Sequence, residues 1–310
     1  MLRFLKNHTY PIGVDMGDDT VKMVQLANNG KGISLIAGGS ETRPADVKPG
    51  SGDWQRWAIE IVKKLTANGE FRGRDVIAAM PAHEVFIDHI KMPKVNDNKP
   101  EDAILSKIKQ KLPFEADNAM IKYITTEQDN ALIIATERKK IDRHLAIYEK
   151  ANLQIKSIGV WPIALTNSYT NFFGRRKADI DATVMLLDIE TNYTNAVICR
   201  HKNLLFARSI PIGTEQLETE KNVTRLVFEL TACKRYLSSM QRKTQIERLI
   251  FLSGQTENRN ICSTIAKQLE MPAQTGDCLA AVEIEEPNGS GIDRRNCQVN
   301  WATAFGLSLS

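Results

Sequence analysis

The chain opens twice with the same pattern of strands and turns, and this repeat constrains the fold more than any other feature. Residues 11–42 predict three strands joined by short turns, and residues 184–210 predict three more. The turn segment Asp15–Thr20 matches Asp188–Tyr193 at an offset of 173 residues, with an aspartate ending an apolar strand in each copy. We therefore expect two similar α/β halves whose hairpin turns face a cleft, a common location for ligands.

The segment between the two openings predicts a separate small unit. Short apolar strands alternate there with two helical patterns, which is typical of a small α+β subdomain. The predicted division is a first half at 1–90, an inserted subdomain at 91–160 and a second half at 161–310. We expect the last helix of the second half to pack back on the first half.

Composition narrows the class of protein. The chain has 310 residues, of which 42% are hydrophobic, enough to bury a sizeable core. Lys plus Arg (41) exceed Asp plus Glu (37) by only 4 charges, which argues against nucleic acid as the main ligand. Five cysteines without a Cys-x-x-Cys spacing predict reduced thiols rather than a disulfide framework or a zinc site. No apolar run approaches the roughly 18 residues of a membrane span, and no signal-peptide pattern opens the chain, so we expect a cytoplasmic protein.

The first hairpin carries residues that suit phosphate binding. An acidic residue can hold hydrated magnesium, a glycine lets the backbone approach a phosphate, and turn hydroxyls and amides donate to its oxygens. Asp15, Gly17 and Thr20 meet these needs. The same residue types occur in ordinary surface hairpins, so the motif alone leaves both interpretations open, and its place in a repeat favours the ligand site.

The order of elements and several motifs resemble the actin-like ATPase fold, a ribonuclease H-like duplication, and most closely the type IV pilus assembly protein PilM family. The segments that carry the resemblance are Gly13–Lys22 as the first phosphate hairpin, Leu187–Thr191 as the second, Arg208–Gly213, Leu252–Gly254 as an adenosine motif, and Ala304–Leu307 as a closing helix. The resemblance implies an α/β protein of two duplicated actin-like halves around a nucleotide cleft, with a small α+β insertion like that of FtsA and PilM.

The resemblance also implies which residues hold ATP and magnesium. Asp15 and Asp188 would lie near the metal. The phosphate hairpins and the adenosine motif would supply the other cofactor-binding residues, which are Gly17, Asp18, Asp19, Thr20, Lys22, Thr191, Ser253 and Gly254.

Two of the three nucleotide motifs depart from the family pattern. The second hairpin has Glu190 where relatives have glycine beside the phosphate. Like charges roughly 4 Å apart cost about 4 kcal/mol at an effective dielectric near 20, unless Glu190 turns away or a cation intervenes. The adenosine turn is reduced to one glycine, Gly254, followed by Gln255–Glu257. We therefore expect the ATP site to be degenerate, with slow or absent hydrolysis.

Two main functions and one variant follow from these features. The first is a cytoplasmic scaffold of a type IV pilus or related secretion assembly. By resemblance it would bind the N-terminal cytoplasmic peptide of a PilN-like inner-membrane protein in a groove among residues 85–160. It would be peripheral to the inner membrane through that partner, with other assembly components and self-association as further contacts and no nucleic acid.

The second function is that of an active ATPase or small-molecule kinase of the same fold, which needs an intact phosphate cradle. The variant is a dead nucleotide site retained only for folding.

Overall fold

The computed structural model describes residues 8–17, 19–30, 32–93, 100–240, 244–252, 259–284, 292 and 299–310. Within these residues the chain forms three sheets covered by helices. None of the described helices is both long enough and apolar enough to cross a bilayer.

The first half is built on a six-stranded sheet. Three antiparallel strands open it, and two parallel strands extend it beside the first strand. The elements are β1 (His8–Met16), β2 (Thr20–Asn28), β3 (Ile33–Thr42), α1 (Gly52–Asn68) and β4 (Asp75–Ala79), joined later in the chain by α3 (Arg138–Lys150), β8 (Gln154–Gly159) and the short edge strand β14 (Glu283–Ile284). The strand order is β14-β3-β2-β1-β4-β8.

The second half repeats that topology. Its elements are β9 (Thr183–Ile189), β10 (Thr194–Arg200), β11 (Asn203–Ile210), α6 (Glu220–Met240), β12 (Arg248–Phe251), α7 (Arg259–Gln268) and β13 (Ala273–Thr275). The strand order β11-β10-β9-β12-β13 corresponds position by position to β3-β2-β1-β4-β8. The duplication expected from the sequence is therefore present as two sheets of the same order.

The inserted unit is smaller than the sequence predicted. Its sheet consists of β5 (Phe86–Lys91), β6 (Ala119–Thr126) and β7 (Asn130–Glu137) in the order β5-β7-β6, with α2 (Pro100–Ile108) alongside. The predicted boundaries at 91 and 160 differ from this arrangement, because β5 pairs with β7 while β8 pairs in parallel with β4 of the first half. Short-range patterns identify strands but not the sheet that each strand joins.

The C-terminal helix packs against the first half. α4 (Trp161–Ser168) and a π-helical turn (Tyr169–Phe173) precede α5 (Lys177–Ile180), and α8 (Ala302–Ser308) closes the chain. The Ser308 hydroxyl donates to the Pro11 carbonyl at 2.8 Å and accepts from the Leu26 N–H at 3.2 Å. A Cβ at Gly13 would lie 2.1 Å from the Ala304 carbonyl oxygen, so only glycine permits this approach.

Candidate functional site

A cleft of about 450 Å³ lies between the two hairpin turns, a size typical of small-molecule sites. The β1–β2 turn and the end of β3 form one wall, and the β9–β10 turn and the segment after β11 form the other. The lining residues are Asp19, Thr20, Lys22, Thr42, Arg43, Ala45, Ile189, Glu190, Thr191, Thr214, Glu215, Val299 and Asn300. The two copies of the repeat thus meet at one site.

The predicted site residues divide into three groups. Asp15 and Asp188 stand at the ends of β1 and β9, behind the cleft wall, and Gly17 begins the first turn. The predicted residues that line the cleft are Asp19, Thr20, Lys22 and Thr191. The predicted positions outside the described residues are Asp18, Ser253 and Gly254.

Lys22 is a buried cation at the back of the cleft. Its side chain is 4% exposed, and its Nζ lies 3.3 Å from Asp15 Oδ2 and 2.9 Å from Glu190 Oε1. Burial by itself lowers the pKa of a lysine, but the carboxylates of Glu190, Asp15 and Asp188 outweigh it and raise the pKa of Lys22 above its ordinary value. The ammonium is therefore charged at every physiological pH, and it is the cation that lets Glu190 occupy this position.

Asp188 is the most enclosed carboxyl group of the cleft. It is 1% exposed, and its Oδ2 accepts from Asn195 Nδ2 at 3.0 Å while its Oδ1 accepts from Asn300 Nδ2. Burial and the nearby Glu190 raise the pKa of Asp188 well above its usual range, although Lys22 opposes them. Two neutral amides satisfy this group instead of a cation of its own.

The two turns are closed by equivalent backbone hydrogen bonds. The Gly17 N–H donates to the Thr20 carbonyl at 3.0 Å, and the Glu190 N–H donates to the Tyr193 carbonyl at 2.9 Å. The second turn is also held from behind, because the N–H groups of Thr214 and Glu215 donate to the carbonyls of Glu190 and Thr191. The backbone of Glu190 is thus held at the position that corresponds to Gly17.

Asp19 connects the first turn to the second. Its Oδ1 pairs with Arg43 Nη2 at 2.7 Å, and its Oδ2 accepts from Asn192 Nδ2 at 3.0 Å. Asn192 stands in the second hairpin where Asp19 stands in the first, at the offset of 173 residues. Arg43, which lines the cleft as Lys22 does, is therefore also paired with a carboxylate.

Magnesium at Asp15 and Asp188 does not fit this arrangement as it stands. The Lys22 ammonium lies against Asp15 and Glu190, so a metal ion would have to displace it. Over the described parts of the chain, no group of three or more His, Cys, Asp or Glu side chains is placed to hold a metal. Magnesium can bind through one or two carboxylates plus phosphates and water, so the metal assignment stays a prediction.

A second cavity, of about 300 Å³, lies beside the inserted sheet. Its walls come from the 3₁₀ turn Ala82–Glu84, the start of β5, the segment after α2, the first turn of α3 and the end of β11. The lining residues are His83, Glu84, Val85, Phe86, Ile87, Pro113, Phe114, Lys140, Arg208 and Ser209. We call this cavity the β5 groove.

The floor of the β5 groove is held by a buried ion cluster. Glu84 is 4% exposed and pairs with Arg143 and, at 2.9 Å, with His144 Nε2. Burial raises the pKa of a carboxyl group, but His144 and Arg143 outweigh it and lower the pKa of Glu84 below its ordinary value. These contacts attach the Ala82–Glu84 turn to α3.

The inserted sheet is joined to the second half by aromatic rings. His89 of β5 stacks on Phe206 of β11 with ring centroids 4.3 Å apart, and Tyr236 of α6 completes the cluster. His89 Nε2 accepts from the Ala207 N–H at 3.2 Å. Burial and the nearby Arg208 lower the pKa of His89 to about 4, although Asp88 opposes them, so the ring is neutral at pH 7. We call this contact the aromatic joint.

Sequence reasoning missed several residues of the cleft. Asn192 and Asn195 could have been found, because they stand 173 residues after Asp19 and Lys22 in the repeat. Arg43 and Asn300 belong to no local motif. The fold brings Arg43 to Asp19 and Asn300 to Asp188.

Comparison with known proteins gives one family and one fold. The sequence matches the model of the type IV pilus assembly protein PilM family over residues 13–232. None of the curated protein sequences compared with the chain matches it significantly.

The structural comparisons confirm the predicted actin-like fold. A chain of the solved PilM-PilN type IV pilus biogenesis complex has a TM-score of 0.78 and 18% identity, with 97% of this chain and 98% of that chain covered. The cytoplasmic domain of EpsL, an inner-membrane component of the type II secretion system of Vibrio cholerae, has a TM-score of 0.50 and 9% identity over 78% and 81%. The ethanolamine utilization protein EutJ from Carboxydothermus hydrogenoformans has a TM-score of 0.52 and 13% identity over 97% and 89%.

Proposed function

The chain belongs to the type IV pilus assembly protein PilM family, and on that premise we propose that it is a cytoplasmic scaffold of a type IV pilus or related secretion assembly. In this role it binds the N-terminal cytoplasmic peptide of a PilN-like inner-membrane protein and is peripheral to the inner membrane through that partner. The similarity to a chain of the PilM-PilN complex supports this partner.

The β5 groove is the observation that carries the peptide proposal. β5 is an edge strand of the inserted sheet, and the carbonyls of His89 and Lys91 face away from β7, since they accept from Tyr236 Oη and Lys107 Nζ. By the two-residue alternation of an antiparallel ladder, the backbone of Ile87 faces the same way, at the groove. An extended peptide can pair with such an edge and place side chains in adjacent pockets.

The groove offers both apolar and charged contacts to the peptide. Phe86, Pro113 and Phe114 supply apolar surface, and Lys140 and Arg208 stand among the lining residues. Arg208 pairs with Glu229 at 2.9 Å and is 47% exposed in its side chain, so it remains accessible. The range 85–160 predicted for the peptide groove includes part of this cavity, and His83, Glu84, Arg208 and Ser209 line it from outside that range.

A peptide titration tests this site. A labelled peptide of the cytoplasmic N-terminus of the cognate PilN-like protein is titrated with the wild type, with Phe114→Ala and with Phe228→Ala. Phe228 is 67% exposed and lies on α6, so it controls for loss of an exposed ring outside the groove. We expect Phe114→Ala to weaken binding about tenfold, as for a central apolar anchor, and Phe228→Ala to leave it unchanged. Equal effects of both variants would place the peptide elsewhere.

We further propose that the cleft between the hairpins binds ATP with slow or absent hydrolysis. Its volume suits the ligand, and Glu190 beside the phosphate position argues against efficient turnover. Thermal melts with and without ATP and magnesium test this for the wild type and Glu190→Gly. A ligand at 100 times its dissociation constant adds about 2.7 kcal/mol of stability. A response of the wild type supports the proposal, a response of Glu190→Gly alone means that Glu190 excludes ATP, and no response from either contradicts a nucleotide site.

A further inference from the structure

A buried ion pair connects the two halves inside the cleft. Lys22 belongs to β2 of the first half, and Glu190 follows β9 of the second half. Their N···O distance is 2.9 Å, and the side chains are 4% and 21% exposed. A charge-assisted hydrogen bond with so little solvent access is a strong contact, and a buried ammonium cannot lose its partner without compensation.

The single positive charge of Lys22 interacts with three acidic side chains, those of Glu190, Asp15 and Asp188. Asp15 lies 3.3 Å away in the same half, and Asp188 acts on it electrostatically. Arg43 also lines the cleft and pairs with Asp19. Among the described lining residues, a phosphate that enters this cleft therefore finds Lys22 and Arg43 each already paired with a carboxylate.

We propose that Lys22 and Glu190 form a latch between the two halves, which a ligand phosphate opens by replacing the Glu190 carboxylate on Lys22. The phosphate part of this inference rests on the nucleotide site proposed above. The latch itself concerns only this chain's own residues. While the latch is closed, Glu190 fills the phosphate position and Lys22 holds it there. When phosphate takes over the ammonium, Glu190 turns away and the second hairpin loses this contact with the first, while the hydrogen bond from Asn192 to Asp19 remains.

Glu190 then does two things that a glycine at this position cannot do. It keeps the halves together when no nucleotide is present, and it makes nucleotide binding compete with that closed state. A ligand that must displace an internal group binds only the open form, so its apparent affinity is reduced in proportion to the fraction of protein that is open. Nucleotide would thereby change how firmly the second half is held to the first.

Hydrogen exchange without any ligand tests the latch by itself. The amides of residues 13–22 and 188–195 are followed by mass spectrometry in the wild type, Glu190→Gln, Glu190→Asp and Glu215→Gln. Glu215 lines the same cleft and is exposed, and its variant removes the same charge without touching Lys22. We expect exchange in both hairpins to rise about tenfold in Glu190→Gln through easier local opening. Glu190→Asp should behave similarly, because it keeps the charge but is one methylene too short to bridge. Wild-type exchange in both Glu190 variants would overturn the latch.

ATP affinity tests the displacement step. Binding of ATP with magnesium is measured by calorimetry for the wild type, Glu190→Gln and Glu215→Gln. The latch predicts that Glu190→Gln binds about tenfold more tightly, the size of coupling expected for contacting groups, and that Glu215→Gln stays close to the wild type. Equal tightening in both variants would reduce the effect to net charge and overturn displacement. Absence of binding in every variant would contradict the nucleotide site and the displacement step together, while the ligand-free exchange still decides whether the pair ties the halves.

Discussion

The two hairpins of the cleft share a closing hydrogen bond but differ in their side chains. Each turn closes with one hydrogen bond of the same type, from Gly17 in the first and from Glu190 in the second. In each, the aspartate that ends the first strand pairs with the residue opposite it on the next strand: Asp15 with Lys22, and Asp188 with Asn195. The first pair carries a cation and the second a neutral amide.

This difference explains how a carboxylate came to stand where a glycine is expected. Asp188 is satisfied by amides, and among the described residues Glu190 pairs with a cation of the other half. The extra charge is neutralised by Lys22 of the first half. The first copy of the repeat therefore supplies the counter-charge for Glu190, from a residue 168 positions away, in the absence of a ligand.

The largest expected loss of stability comes from alanine substitution of Gly213, which packs behind the second turn. A Cβ at Gly213 would lie 2.4 Å from the carbonyl oxygens of Glu190 and Thr191, whereas a Cβ at Gly17 would lie 3.1 Å from that of Thr20. We expect Gly213→Ala to lower the free energy of unfolding by about 3 kcal/mol or more, and Gly17→Ala by about 1 kcal/mol or less. Denaturant unfolding of both variants measures this, and similar losses would mean that the second turn is not held from behind.

Removal of the shared cation should have the next largest effect. Lys22→Met leaves the carboxylates of Asp15 and Glu190 facing each other in a buried site, and we expect a loss of about 3 kcal/mol in unfolding free energy. Lys64→Met is the matched control, because Lys64 pairs with Glu41 on the surface at 54% exposure and should cost less than about 1 kcal/mol. Comparable losses in the two variants would contradict a special role for Lys22.

The aromatic joint connects the inserted sheet to the second half through stacked rings, whereas the cleft connects the two halves through an ion pair. The contribution of the joint to stability should depend on pH through His89. The pKa of His89 is lowered to about 4 in the folded chain, so the unfolded chain gains a proton near its ordinary pKa while the folded chain does not. The contribution of His89 to the free energy of unfolding is therefore fully present above that ordinary pKa and is lost as the pH falls below it. Between about pH 7 and 5 we expect His89 to remove about 2 kcal/mol.

The difference between wild type and His89→Gln isolates this contribution. Unfolding free energies of both proteins are measured from neutral to mildly acidic pH. The variant should lack the His89 share of the acid destabilisation, and parallel pH profiles would show that His89 is not held neutral by the joint.

The smallest expected effect concerns the second link across the cleft. Asn192→Ala removes the hydrogen bond to Asp19 but leaves the Asp19–Arg43 pair intact. We expect a loss of about 1 kcal/mol, the usual net value of one hydrogen bond. Asn118→Ala, which removes an exposed hydrogen bond to Glu115, should lower the melting temperature less than Asn192→Ala does. A larger decrease for Asn118→Ala would argue against a link at Asn192.

Much of the fold was predictable because it depends on short-range patterns. Alternating apolar residues gave the strands, and the matching turns Asp15–Thr20 and Asp188–Tyr193 gave the duplication. Sheet membership was not predictable to the same degree, since the pairing of β8 with β4 across the inserted unit depends on long-range contacts. The boundaries of the inserted subdomain shifted for that reason.

The sequence by itself determined the two aspartates at equivalent strand ends, the glutamate that replaces glycine in the second turn, and the family to which these motifs belong. Only the tertiary structure decided what becomes of the glutamate's charge. Lys22 is close to Asp15 through strand pairing within one hairpin, which local register fixes. Its contact with Glu190 exists because the tertiary fold brings the two hairpins together at the cleft, and no pattern within either half specifies which side chains then meet.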